Sequence, residues 1–466
     1  MNTAERKNSY RNKQVLIFGL GLYPQGSGMA AALFFLRAGS QVTITDMRPA
    51  RQLATQRKKL AAKKIAWVLG RHRASDVLRA DLIMRNPAVP YDHPLLVLAR
   101  SRGIPVHNDC SLFFTLAPVR PIGITGTRGK TTTATLVAEI LQSHHKEVFL
   151  GGNVTVSPLT FARKLTPESK VVLELSSWQL EDLGAWHLSP RVAVVTNIFP
   201  DHLNRYAHVR AYARAKEGIL KAQQPQDTAI LNADNAATLR MGLRAPSRVI
   251  WFSQKLLRKG DGVFVRRGNI IVRMQNRERT IMPVEQVRLA GAHNLGNTLA
   301  AIAVAAVEGV PQSHIRRVVR RFAGVHSRQE YIGIFRGIRC VNDTTATTPD
   351  AALAALATLG DQKKLIMIAG GMDKNLSYAA LARALPRACK TVILLPGTAT
   401  DKLLKHLPKS FQVHTAVSMR NAVDQAFGQA RMSDTILLSP GAASFNVFLN
   451  EFDRGAQFVQ AVRNFR

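Results

Sequence analysis

A short apolar segment, Ile122 to Thr125, runs straight into Gly126-Thr127-Arg128-Gly129-Lys130-Thr131-Thr132, and a helical pattern follows from Ala134 to Leu141. Strand, glycine-rich loop and helix in that order point to an α/β fold, because such a loop hands its inward-turned backbone N–H groups directly to a helix N-terminus. The result is an anion site. Glycines allow close approach, the helix end adds positive partial charge, Lys130 reaches the β- and γ-phosphates, and Thr131 ligates magnesium. ATP or GTP is the expected ligand. The general G-x-x-x-x-G-K-[ST] spacing is not met, since Ile124 stands five before Gly129 and Gly126 only three before it. The kind of nucleotide enzyme has to be read from the rest of the chain.

With 466 residues, the chain exceeds a single core at roughly 100–200 residues per domain, so about three domains are expected. Met1 to Gln14 is polar and basic with no apolar h-region, and no apolar run approaches the roughly 18 residues of a membrane span. A cytoplasmic enzyme without a membrane partner is therefore expected. Cys110, Cys340 and Cys389 are odd in number and outside metal-ligand spacing, which suits reduced thiols. The formal charge of +34 is scattered in short groups such as Arg57-Lys58-Lys59 and the helical set Arg316, Arg317, Arg320 and Arg321, with few aromatics between them. A solvated basic surface that attracts anionic substrates fits this better than a nucleic-acid stripe, so no nucleic-acid partner is expected.

The first segment reads as a doubly wound unit: strand Val15–Phe18, turn Gly19-Leu20-Gly21, helix Met29–Ala38, strand Gln41–Asp46. A glycine turn after the first strand and an acid after the second suit a nucleotide's phosphates and its ribose or base. Pro24 and Gln25 stretch the turn beyond G-x-G-x-x-G, and on this segment alone a nicotinamide oxidoreductase stays open. Pro118 and Pro121 introduce a second α/β unit with strands Val171–Leu175, Val192–Asn197 and Thr228–Asn232, a hairpin over Gly262–Met274, and an alanine-rich helix His293–Val307. After Phe322, Gly324 and His326 come strands at Arg339–Asn342, Leu365–Ala369, Thr391–Leu395 and Thr435–Leu438, again a Rossmann-like pattern. The expected domains are 1–117, 118–324 and 325–466: Rossmann-like, P-loop ATPase-type and Rossmann-like.

Glu174 closes a buried-looking strand in Glu174-Leu175-Ser176-Ser177-Trp178-Gln179-Leu180-Glu181, at the sheet edge where α/β enzymes gather ligands, and a carboxylate there suits magnesium. The run Asn197 to Arg205 ends the next strand and brings His202 toward the same edge, as a metal ligand or to orient a substrate carboxylate.

Together with Gly151-Gly152-Asn153, Asp201-His202 and His293-Asn294-Leu295-Gly296-Asn297, these motifs resemble in order and spacing those of the Mur ligase family, the ATP-dependent amino-acid ligases that build the peptide of bacterial peptidoglycan. The resemblance covers essentially the whole chain. Gly19-Leu20-Gly21, the E-L-S-S-aromatic-Q-L-E run and Leu438 to Ser444 narrow it to members joining glutamate to UDP-N-acetylmuramoyl-L-alanine. It implies a monomer that uses ATP and magnesium and works through an acyl phosphate. It implicates Lys130, His202 and Lys216 in catalysis, with Lys216 carbamylated, and Thr131, Glu174, His202 and Lys216 around metal. Gly126 to Thr132, Asn294, Asn297, Arg328 and Asp343 would bind ATP. Gly19, Gly21, Leu22, Asp46, Asn86 and Asn153 would hold the UDP-sugar, and Thr347, Lys374 and Ser444 the glutamate. Thr345 stands where many relatives carry lysine, Asn86-Pro87-Ala88 replaces a Ser-Pro-Gly turn, and Leu449-Asn450-Glu451-Phe452 shifts the aromatic that usually lies against the amino acid. These departures leave D- against L-glutamate open.

Overall fold

The computed structural model describes residues 10–61, 63–154, 156–201, 205–206, 208–289, 291–360, 364–373, 376–445 and 447–465. They pack into two compact units, Met1–Phe322 and Ala323–Arg466. None of the described helices is long and apolar enough to cross a membrane.

The first unit carries two sheets. Strands β1 (Gln14–Phe18), β2 (Gln41–Asp46), β3 (Ile65–Leu69), β4 (Leu82–Arg85) and β5 (Val106–His107) form a parallel sheet in the order β3-β2-β1-β4-β5. Val15 to Phe18 are all buried, the continuous apolar run expected of a parallel strand covered on both faces. The strand order reverses beside β1, so the crevice between the carboxyl ends of β1 and β4 receives the Gly19–Gly21 turn. The second sheet holds β6 (Ile122–Thr125), β7 (Val148–Gly152), β8 (Lys170–Glu174), β9 (Val192–Val195), β10 (Thr228–Asn232), β11 (Arg248–Ser253), β12 (Gly262–Arg266), β13 (Asn269–Met274) and β14 (Arg277–Pro283). Its order is β14-β13-β12-β11-β10-β9-β6-β8-β7, parallel except for the β12–β13–β14 meander. The phosphate loop leaves β6, between β8 and β9, which puts Glu174 and the residues after Val195 beside it.

Two expectations shift at the phosphate loop. The strand expected over Val192–Asn197 stops at Val195, because Thr196 and Asn197 turn aside to bind the phosphate loop. The helix expected from Ala134 starts at Lys130, so the loop passes into it without a spacer. One arginine of the basic helical set also has a structural task. Arg316 Nη2 donates to Thr280 O at 3.3 Å and its Nε donates to Ile281 O, covering carbonyls of the edge strand β14 that would otherwise invite a further strand.

One hydrophobic core joins the two sheets. It runs from Ile17 of the first sheet, with Phe34 and Phe113 of the helices against it, to Leu173 and Val195 of the second, with Phe161 beside them. A polar knot sits at this joint. Arg85, at the end of β4, donates to Asp182 Oδ2 from Nη2 at 2.6 Å and from Nε at 3.1 Å, and to Trp178 O at 2.8 Å. Asn108 Nδ2 adds a bond to the same oxygen at 2.8 Å. Arg85 is 0 % and Asp182 1 % exposed, and burial pushes the Asp182 carboxyl up even against these partners. Removing one partner of such a pair strands the other without water. Arg85→Met is therefore expected to lower the unfolding free energy of this unit by about 3–5 kcal/mol in a denaturant titration.

The second unit is a six-stranded sheet of β15 (Glu330–Phe335), β16 (Ile338–Asn342), β17 (Leu365–Gly370), β18 (Cys389–Leu395), β19 (Val413–Thr415) and β20 (Thr435–Leu438). The order is β15-β16-β20-β17-β18-β19, with β15 antiparallel at the edge and the others parallel. Helices cover both faces, as the two cores around Ile368 and Met367 record. All three sheets are α/β.

Candidate active site

The phosphate loop is held in shape by the strand beside it. Asn197 clamps Arg128 in both directions: its Oδ1 accepts from Arg128 N at 3.0 Å and its Nδ2 donates to Arg128 O at 3.1 Å. Thr196 Oγ1 donates to Arg128 O at 2.6 Å, and Phe199 N donates to Thr127 Oγ1 at 2.9 Å. Gly126 (φ +147°) and Gly129 (φ +81°) both lie where side chains are strained. A Cβ would also collide with Thr196 Oγ1 at the first and with Asn297 Oδ1 at the second. The following helix has no side-chain cap and no acid in its first turn, leaving its terminal N–H groups to an anion. Lys130 Nζ donates to Thr127 O at 3.0 Å, across the mouth of the loop.

Glu174 reaches the same edge from β8 and is 1 % exposed. Its Oε1 accepts from Asn153 Nδ2 at 2.7 Å, while Oε2 is buried without a hydrogen-bond partner among the described residues. A buried anionic oxygen left open costs too much to be incidental and suits a cation. Lys216, 2 % exposed, lies beside it, with Nζ 3.5 Å from Thr125 Oγ1 and 4.8 Å from the Tyr212 ring centroid. Burial, and then the Lys130 charge, hold its ammonium well below the usual lysine range, against the pull of Asp201 and Glu174. Lys216 is thus biased toward the neutral amine. His202 lies outside the described residues. Among those described, no three His, Cys, Asp or Glu side chains cluster for a metal. One carboxylate and a threonine hydroxyl, completed by phosphate oxygens and water, are nevertheless a sufficient set for magnesium.

Asn294 and Asn297 face this loop from the helix Ala292–Val307. They are 8 % and 5 % exposed, and Asn297 Nδ2 donates to Asn294 Oδ1 at 3.3 Å. On the other sheet, Gly19 (φ +89°) and Gly21 (φ +78°) bend over Asn86. Asp46 closes that turn: Oδ2 accepts from Leu20 N at 2.9 Å, and Oδ1 accepts from Arg48 N at 2.9 Å and Arg48 Nη1 at 3.2 Å. Its carboxylate therefore shapes the glycine turn directly. Leu22 O accepts from Gln56 Nε2 at 2.6 Å on the far side of the turn.

In the second unit Asp343 Oδ2 accepts from Ser439 Oγ at 2.8 Å and Oδ1 from Gln329 N at 3.1 Å. Burial outweighs these bonds and the nearby Arg328 charge, and raises the carboxyl to about 6. Ser444 is 2 % exposed, and its Oγ has no hydrogen-bond partner among the described residues. Half-buried Thr347 follows Asp343 on the neighbouring loop, and Lys374 lies outside the described residues.

Family models match the chain in three consecutive stretches: the MurD-like N-terminal domain of Mur ligases over residues 13–108, the Mur ligase middle domain over 124–305, and the Mur ligase glutamate ligase domain over 327–441. A UDP-N-acetylmuramoylalanine--D-glutamate ligase of Roseiflexus sp. (strain RS-1) is 40 % identical over 464 residues, covering 97 % of this chain and 99 % of that protein. The chain belongs to the Mur ligase family. The Mur ligase of the same name from Koribacter versatilis is 39 % identical over 453 residues, covering 97 % and 98 % of the two chains. The same fold appears in the UDP-N-acetylmuramate-alanine ligase MurC of Thermotoga maritima, at a TM-score of 0.61, 22 % identity and coverage of 97 % and 100 %. It also appears in the MurF ligase of Thermotoga maritima solved with ADP, at 0.59, 16 %, 98 % and 97 %.

On this Mur ligase scaffold the first unit brings Lys130, Glu174, Lys216 and Asn297, all singled out by the sequence, to one sheet edge. Sequence reasoning misses Thr196 and the double clamp of Asn197, because both look like the end of a strand. It also misses Thr125, whose hydroxyl donates to Leu175 O at 2.7 Å and meets Lys216. The contact of Gly129 with Asn297 makes a direct prediction. Gly129→Ala forces a left-handed alanine against that side chain and should raise the KM for ATP by roughly 100-fold, given a strain of about 1–3 kcal/mol and the displaced asparagine.

Proposed function

We propose that this chain joins D-glutamate to UDP-N-acetylmuramoyl-L-alanine with hydrolysis of ATP to ADP and phosphate. The observation that carries the reading is a full-length relative bearing that name at 40 % identity, on a chain whose own phosphate loop, open Glu174 oxygen and buried Lys216 can perform the chemistry. The free carboxylate of the UDP-sugar attacks the γ-phosphorus and ADP leaves. The glutamate amine then attacks the acyl phosphate, loses a proton and expels phosphate. ATP and a nucleotide-linked sugar are cytoplasmic substrates, so the reaction belongs in the cytoplasm.

The first step brings an anionic carboxylate to an anionic phosphate, and the residues are arranged to lower that cost. The amides of Gly126–Thr132 and the helix end bind the phosphates, Lys130 neutralises charge at the γ-position, and Asn294 and Asn297 border the nucleotide. Thr131, Glu174 and Lys216 would hold magnesium, which supplies further positive charge to the transferring phosphoryl group. Lys216 would serve as a ligand after its neutral amine adds carbon dioxide, forming an N–C bond and releasing one proton, so that the amine becomes a carbamate anion. Gly19, Gly21, Leu22, Asn86 and Asn153 hold the UDP-sugar, and Asp46 fixes the turn that does so. Thr347 and Ser444 bind the amino acid.

Phosphate release from ATP, followed with UDP-N-acetylmuramoyl-L-alanine and either D-glutamate, L-glutamate or no amino acid, tests this. Release that depends on D-glutamate is expected. Release with L-glutamate alone would overturn the stereochemistry, and none with either would overturn the ligase reading.

A further inference from the structure

The second unit buries an arginine that no step above uses. Arg454, on the helix Glu451–Arg463, is 0 % exposed. Among the described residues its hydrogen bonds all go to uncharged oxygens: Nε to Thr344 Oγ1 at 3.1 Å, Nη2 to Thr344 O at 2.8 Å and Nη1 to Ala442 O at 3.1 Å. Thr344 belongs to the loop after β16 that continues into Thr347. Ala442 belongs to the loop after β20 that continues into Ser444. One guanidinium therefore ties together the two loops carrying the amino-acid-binding residues. The next residue, Gly455, makes this approach possible, since a Cβ there would stand 2.6 Å from Thr344 Cγ2. Gly441 N donates to Ala346 O at 2.8 Å and closes the same pair of loops from the other side.

A buried cation is costly unless an anion balances it. Among the described residues no carboxylate hydrogen-bonds to Arg454; desolvation draws the guanidinium down to about 10, against the favourable charge of Glu451. A dicarboxylate amino acid brings further negative charge to this region. Beside the tied loops waits the buried Ser444 hydroxyl, without a partner among the described residues.

We propose that Arg454 is a positioning residue for the amino-acid substrate: it locks the loops of Thr344 and Ala442 into one pocket wall and holds a positive charge behind it that favours a dicarboxylate. This rests on the ligase reading above. Lysine keeps the charge but lacks the fork that spans both loops, whereas methionine removes both.

The test is steady-state kinetics of the full-length wild type, Arg454→Lys and Arg454→Met, varying D-glutamate, ATP and the UDP-sugar in turn, with thermal melting to confirm folding. Arg454→Met should raise the KM for glutamate by at least about tenfold while the other two KM values stay within about twofold, with Arg454→Lys in between. Should methionine prevent folding, a selective rise of about threefold in Arg454→Lys supports the same inference. An unchanged glutamate KM in the folded variants, or an equal rise for all three substrates, would overturn the inference alone. A wild type without glutamate-dependent turnover would overturn the ligase reading and this inference with it.

Discussion

Lys130→Ala is expected to lower ligase turnover by at least about 10³-fold while leaving the protein folded. Lys130 sits in the first turn of its helix, at the mouth of the phosphate loop, with Nζ 3.0 Å from Thr127 O. In the proposed reaction its charge stands where a carboxylate approaches the γ-phosphate, so the loss should fall on the transition state more than on ATP binding. Its removal also relieves Lys216 of a neighbouring cation, which argues against any loss of stability. Rapid-quench measurement of ADP formation, with melting as a control, separates the two. A Lys130→Ala enzyme within tenfold of wild type would remove the phosphate loop from the mechanism.

Lys216 carries the second large effect. Lys216→Arg places a permanent cation in a site that is 2 % exposed and already lies beside Lys130, and arginine cannot become an anion by adding carbon dioxide. Lys216→Met removes the proposed metal ligand while keeping an apolar side chain beside Tyr212. Both variants should lose about 10³-fold in turnover. The carbamate reading adds a distinct signature. Wild-type activity should fall in buffer stripped of carbon dioxide and return with bicarbonate, whereas Lys216→Met should respond to neither. The pH response has a fixed sign: carbamate forms from the neutral amine, so acidification through the depressed pKa of Lys216 protonates it and lowers activity. Activity indifferent to carbon dioxide would leave Lys216 a positional residue only.

The parts legible in the sequence are those whose function imposes a local pattern. Gly126 and Gly129 show because no other residue tolerates their backbone angles and contacts. Glu174 shows because it ends an apolar strand, and Asp46 because it ends another. What stays hidden depends on partners far along the chain. Arg85 and Asp182 are separated by 97 residues, and each alone looks like a surface charge. Arg454 meets Thr344 across 110 residues, on a helix whose pattern is ordinary. Asn197 reads as strand because its apolar neighbours set the period, yet its side chain grips the loop beside it. Residues that act through the backbone of another segment leave no spacing to read, and Thr196, Asn197 and Arg454 all work in that way.

Transfer of label from substrate to phosphate shows whether ATP activates the carboxylate. UDP-N-acetylmuramoyl-L-alanine carrying ¹⁸O in its free carboxylate is turned over with ATP and D-glutamate, and the released phosphate is analysed by mass spectrometry. An acyl phosphate requires one substrate oxygen to leave with phosphate in each turnover, so singly labelled phosphate is the predicted result. Phosphate without label, formed alongside the peptide product, would mean that the carboxylate is never phosphorylated and would contradict the account.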